Sequence, residues 1–172
     1  MTSYVALLRG INVGGGNKIA MAELRRLATG LGYDAVRTVL ASGNLTFESP
    51  SDDPAALRAE LESALSERFS YVATVFVLSR DRLAELAAGY PFPPREGHHD
   101  YLMIVDDPGV VAELAAIETA DEVERTQVGD GCVYWQVERG HTLDSTVGKG
   151  TGNRRLAKHL TNRNMNTVRK LL

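Results

Sequence analysis

The segment Arg9-Gly-Ile-Asn-Val-Gly-Gly-Gly-Asn-Lys18 holds the residue types best suited to chemistry in this chain. Consecutive glycines let successive backbone N–H groups point into one concavity, and Arg9 and Lys18 add charge-assisted donors. Such a nest suits phosphate or carboxylate, which makes Arg9, Gly10, Asn12, Gly14, Gly15, Gly16 and Lys18 candidate ligand-binding residues. The spacing is not that of a P-loop. GxxxxG fits residues 10 to 15, but Gly16 and Asn17 stand where Lys and Ser/Thr are required. Nor is it the dinucleotide motif, because Ile19 occupies the third glycine position after Gly14 and Gly16. The structural alternative is a flexible connection whose glycines supply positive φ.

The tail is the second candidate. Residues 145–172 carry seven Lys or Arg and no Asp or Glu, a local charge of +7 inside a net charge of −3. Lys149, Arg154, Arg155, Lys158, Arg163, Asn164, Asn166, Arg169 and Lys170 lie there. Arg and Asn together can read phosphates or base edges, so Arg163, Asn164 and Asn166 join the candidate set. Asparagine also caps and turns chains, basic residues suit helix C-termini, and the acidic body could neutralise the segment. No aromatics interleave the basic residues, so a stacking platform for single strands is not encoded. Nucleic acid as a partner rests on charge alone.

Ser42-Gly43-Asn44 is a third polar motif, and Ser42 and Asn44 are added on that ground. Ser42 lacks the GxSxG setting of a nucleophile. His98-His99-Asp100 offers imidazoles, but neighbours in an extended segment point to opposite sides. Ligand spacing is missing as well, so the pair reads as solvated histidines at a linker end, with no metal site. Cys132 opens a strand pattern and reads as a small core residue. Asp52-Asp53 and Asp106-Asp107 each precede a helix-starting proline and read as caps. No catalytic residue or cofactor is specified.

The elements that must position these groups follow from periodicity. Tyr4 to Leu8 is an apolar run of strand type. Leu24, Leu27 and Leu31 recur at helical spacing before Gly32. Val36 to Leu40 and Leu45 to Glu48 flank a glycine-containing turn, a hairpin. Ser51-Asp-Asp-Pro54 starts a helix through Leu57, Leu61 and Leu65. Val72 to Leu78 is a strand, and Ser79 caps a helix burying Leu83 and Leu86. Tyr90-Pro-Phe-Pro-Pro-Arg-Glu-Gly97 then breaks the pattern, since three prolines and a glycine cannot occupy a helix interior or central strand. After it the order begins again. Tyr101 to Val105 is a strand, a helix follows Asp107-Pro108, and residues 122–128 and 132–137 flank Gly-Asp-Gly. Val133, Trp135 and Val137 share the expected core face. A glycine-rich stretch at 147–152 and two short helices around Leu156 and Val168 close the chain.

Composition sets the outer limits. At 172 residues, 44% apolar and 24% charged, the chain suits one compact domain or two small halves. A single cysteine excludes an internal disulfide, the first residues lack a signal-peptide pattern, and no apolar run reaches membrane-spanning length. The expected setting is cytoplasmic, with no membrane partner. The oligomeric state is not encoded.

Leu7-Leu-Arg-Gly-Ile-Asn-Val-Gly-Gly15, the Ser42-Gly43-Asn44 turn and Thr161-Asn-Arg-Asn-Met-Asn-Thr-Val168 together resemble a bacterial family known as domain of unknown function 1697. The resemblance runs over essentially the whole chain. It implies an α+β fold of two ferredoxin-like halves and no particular activity. Where the family usually places tryptophan, this chain has Met165.

The expected architecture is therefore α+β, with two tandem ferredoxin-like halves of βαββ type, antiparallel sheets packed by helices, and a helical C-terminus. The halves span 1–89 and 98–172, with the proline-rich joint at 90–97 and an imperfect second copy ending in a basic helical tail. The expected function is binding of an anionic ligand, a phosphorylated small molecule or nucleic-acid end. The first loop, the Ser42-Gly43-Asn44 turn and the Arg163-Asn164 region would face one cleft. Two alternatives stay open: an enzyme acting on a phosphorylated metabolite through Arg9, Asn12 and Lys18, and a structural or protein-interaction module without a small ligand.

Overall fold

The computed structural model describes residues 1–13 and 15–172. The chain divides into two compact units, residues 1–84 with 170–172, and residues 85–169. In the first, β1 (Thr2–Leu8), α1 (Met21–Gly30), β2 (Asp34–Val39), β3 (Asn44–Ser49), α2 (Pro54–Phe69) and β4 (Val75–Ser79) follow in order. Their sheet has the order β2-β3-β1-β4, antiparallel at every pairing. α3 (Arg80–Ala88) follows β4.

Period-two alternation explains this sheet. Tyr4, Ala6 and Leu8 of β1, Leu45 and Phe47 of β3, and Val75 of β4 join one core with Leu24, Leu57, Leu61 and Leu65 of the two helices. Tyr33 stacks on Phe47 at 4.4 Å between centroids. Asp53 caps α2, its carboxylate accepting from the N–H groups of Ala55 and Ala56, with Pro54 in the first turn.

The second unit repeats the order. β5 (His98–Val105), α4 (Pro108–Ala115), β6 (Glu124–Gly129), β7 (Cys132–Glu138), α5 (Thr146–Thr151), α6 (Arg154–Ala157), β8 (Leu160–Asn164) and α7 (Met165–Leu171) follow one another. The sheet order is β6-β7-β5-β8, again antiparallel throughout. Met103, Val105, Val133, Trp135 and Val137 form the core with Val110, Leu114, Val147 and Leu156, so the expected β7 core face is the observed one.

One expectation about the C-terminus needs correction. The tail is not purely helical. Leu160–Asn164 forms a strand along β5, pairing Leu102 with Arg163 and Ile104 with Thr161. Only Leu160 and Thr161 of this strand are buried, so its polar composition carried no strand pattern. Most of the glycine-rich stretch at 147–152 is α5, capped by the Ser145 hydroxyl on the N–H of Gly148. A Cβ on Gly148 would lie 2.1 Å from the Thr142 carbonyl, so glycine here is a requirement of close packing.

The proline-rich segment contains no helix or strand, and it is held in place. The Tyr90 hydroxyl donates to Asp100 at 2.7 Å, Gln136 Nε2 donates to the Pro93 carbonyl at 3.0 Å, and Arg125 lies over the Phe92 ring at 4.7 Å. No helix among the described residues is long and apolar enough to cross a membrane.

Candidate functional site

The first loop and the Ser42-Gly43-Asn44 turn come together in the first unit. The Asn12 Nδ2 donates to the carbonyls of Ile19 (3.0 Å) and Ala41 (2.8 Å), while its Oδ1 accepts from the Ile19 N–H. Asn17 Nδ2 donates to the Gly10 carbonyl, and the N–H groups of Asn12 and Gly16 bond within the loop to Asn17 and Val13. Asn44 is fully buried, and its Nδ2 donates to the Val39 carbonyl and the Ser42 hydroxyl. The N–H of Leu8 donates to the Gly43 carbonyl, and a Cβ on Gly43 would lie 2.9 Å from that of Leu8.

These polar groups therefore tie loop to turn. Gly10 and Gly15 have positive φ, as the loop geometry demands, and Lys18 is exposed. Arg9 is half-buried, and that burial lowers its guanidinium pKa. Gly14 lies outside the described residues.

The tail candidates lie in the second unit. Arg163 Nη1 donates to the Thr161 hydroxyl and the Asn162 carbonyl. Asn164 ends β8, and its Oδ1 accepts from the Asn166 N–H. Asn166 accepts in turn from Arg169 Nη1 at 3.0 Å. Arg155 pairs with Glu113 through contacts of 2.7 and 2.5 Å, so part of the basic tail is neutralised within its own unit. Glu113 is held below the usual carboxylate range by its hydrogen bond to Arg155.

Asn164 and Asn166 line a cavity of about 310 Å³ together with Arg95, Arg139, Arg169 and His98. Glu96, His99, Asp100 and Met165 complete much of its wall, and that volume suits a small ligand. Arg95 donates to the Asp121 carbonyl at 2.6 Å, which fixes its head while leaving further guanidinium donors. Asp100 Oδ1 accepts from Tyr90 and Gln136, so one oxygen of this carboxylate is engaged by two neutral donors. The pocket wall thus includes Arg95, Arg139 and Arg169 alongside the acidic residues Glu96 and Asp100. Such a site can hold an anion.

The sequence pointed to Asn164, Asn166 and Arg169 but not to Arg95, Arg139 or the histidines. Those histidines follow directly on Gly97, the last residue of the joint. They open β5, where His98 faces Glu138 and His99 faces Val137 across the ladder, and both are half-buried. The missed signal was the strand alternation running back from Leu102 through Asp100 to His98. Met165 is buried at the pocket wall. Among the described residues, no group of three or more His, Cys, Asp or Glu is placed to hold a metal ion. A larger concavity of about 600 Å³ touches α1 and α2, but the Glu23–Arg68 ion pair (2.8 Å) belongs to its wall and none of the sequence candidates does.

Residues 1–134 match a family described as protein of unknown function, DUF1697. No curated protein matches the sequence. Among solved structures, the chain is similar to a conserved bacterial protein from Streptococcus pneumoniae, at 28% identity and a TM-score of 0.82 over 99% of this chain and 96% of that one. An unknown protein from Galdieria sulphuraria aligns over 95% of this chain and 98% of its own, at 12% identity and a TM-score of 0.29, and supports no structural argument. The family match covers well over half of the sequence, and the chain belongs to DUF1697.

Proposed function

We propose that this protein binds a small anionic ligand, with phosphorylated metabolites as the leading class. The observation that carries the reading is the cavity in the second unit, where Asn164 and Asn166 stand beside Arg95, Arg139 and Arg169. Guanidiniums suit oxyanions because their fixed forks match carboxylate and phosphate geometry. Nucleic-acid ends share that chemistry and are distinguished by experiment. The fold reading that accompanies it is two ferredoxin-like halves, supported by the shared strand order and the βαββαβ succession of the first unit. A cytoplasmic setting belongs to the same reading, supported by a lone buried cysteine.

The test is thermal unfolding of the whole protein with inorganic phosphate, sugar phosphates, nucleotides and oligonucleotides, each at two salt concentrations. A ligand that binds the folded state raises Tm with concentration. Stabilisation by small phosphates supports the proposal, whereas a response only to oligonucleotides, lost steeply with salt, transfers it to nucleic acid. The absence of any shift favours an interaction module. Arg9→Ala tests the first loop separately: weaker binding at unchanged stability would make that loop part of the site, and lost stability alone would mark Arg9 as structural.

A further inference from the structure

We propose that the first unit carries a second anion site, on the face of its sheet turned away from α1 and α2, which takes the phosphate group of a small organic ligand. It goes beyond the pocket of the second unit and stands on different residues. Alternation along β1 and β3 turns Tyr4, Ala6, Leu45 and Phe47 towards the helices, and so turns Ser3, Thr46 and Glu48 to the opposite face. In β2 a bulge decides what joins them. Asp34 pairs with Glu48 and Arg37 with Thr46, so three steps along β2 match two along β3. Uninterrupted pairing would set Val36 opposite Thr46. The extra residue instead gives Val36 to the helix-side core and sets Arg37 opposite Thr46. The bulge holds Ala35 at φ +48°, a left-handed conformation that is costly for a residue with a Cβ.

Arg37 does not stand alone there. Arg80, the first residue of α3, and Lys170, in the last turn of α7, line the same groove of about 350 Å³, and residues 170–172 belong to the first unit. All three cations are exposed. Arg68 and Arg155 are paired with Glu23 and Glu113, but among the described residues no hydrogen bond or ion pair engages the side chains of Arg37, Arg80 and Lys170. Glu48 is the one acidic residue among those described in the wall. Three cations against one carboxylate leave a surplus that matches the dianion of a phosphate monoester. Water and salt screen the repulsion between exposed cations, so the fold tolerates this cluster without a counter-ion. An arriving oxyanion gains charge-assisted hydrogen bonds from two guanidinium forks and an ammonium. The hydroxyls of Ser3 and Thr46 add donors, and Val39 and Leu171 give the organic part an apolar wall.

The test is an amide NMR titration of the whole protein with phenyl phosphate, held above about pH 7 so that the phosphate stays largely dianionic. It is run on the wild-type protein, on Arg37→Gln/Arg80→Gln, and on Arg139→Ala/Arg169→Ala, which strips the second unit's pocket of two guanidiniums. The replaced residues are exposed, and each spectrum reports directly whether its protein is folded. The amides of Arg37, Thr46 and Glu48 should shift saturably in the wild type and equally in Arg139→Ala/Arg169→Ala. In Arg37→Gln/Arg80→Gln the Kd read from Thr46 and Glu48 should rise about tenfold or more, as loss of charge-assisted hydrogen bonds dictates. Amides there that stay still, or that respond equally after Arg37→Gln/Arg80→Gln, overturn the second site. So does a response lost in Arg139→Ala/Arg169→Ala, because it would then originate in the second unit. Shifts confined to Asn164 and Asn166 overturn it while leaving the second unit's pocket intact. Shifts confined to Arg37, Thr46 and Glu48 support it and count against that pocket.

Discussion

At the scale of single residues, most of the polar side chains that drew attention in the sequence serve the backbone. Asn44 satisfies the Val39 carbonyl from a fully buried position, and Asn12 closes the first loop on Ile19 and Ala41. Asn44→Ala strips a half-buried carbonyl of a donor and empties a buried position, and should cost about 1–3 kcal/mol in urea unfolding, with no change in anion affinity. Gly148→Ala forces a Cβ against the Thr142 carbonyl, and the resulting overpacking should cost about 1–3 kcal/mol. Gly152→Ala is its control, because the nearest atom there is 3.4 Å away. Such roles were invisible beforehand. An Asn that closes a loop and an Asn that faces a ligand have the same letter, and only the position of a carbonyl 29 residues away separates them.

At the scale of elements, capped helices and core strands were legible because their signals are local. Asp53-Pro54 and Asp107-Pro108 start helices in the structure as their chemistry dictates. β8 was not legible, because its backbone partners lie in β5, some 60 residues earlier. The proline-rich joint carried a partial signal: proline excluded regular structure, but nothing local showed that Tyr90 would anchor to Asp100. That anchor is pH-sensitive. Burial, then the hydrogen bond and negative charge of Asp100, raise the Tyr90 phenol well above its ordinary value, and burial with Glu60 does the same to Tyr33. The unfolded chain therefore loses these protons first as pH rises past about 10, so stability is full below that value and falls above it. Tyr90→Phe should cost stability at neutral pH and flatten the alkaline decline, as read from unfolding midpoints between about pH 8 and about 11.

At the scale of the whole molecule, the chain is two units built on the same strand order, with an acidic body and a basic C-terminal segment. The basic segment divides between uses. Arg155 is paired with Glu113 at an exposed position, where an ion pair adds little, so Arg155→Ala should leave the urea unfolding midpoint essentially unchanged. Arg169 instead stands at the pocket with Arg95 and Arg139. That division could not be read from charge alone, since both arginines lie in one uninterrupted basic run and only the fold decides which meets a carboxylate. The central claim is that these pocket arginines bind an anion. Calorimetric titration of inorganic phosphate into the wild-type protein and the Arg139→Ala/Arg169→Ala double variant, with folding verified by circular dichroism, tests it most directly. Loss of charge-assisted hydrogen bonds should weaken binding by about tenfold or more in the variant. Equal affinity in the two folded proteins would contradict the account.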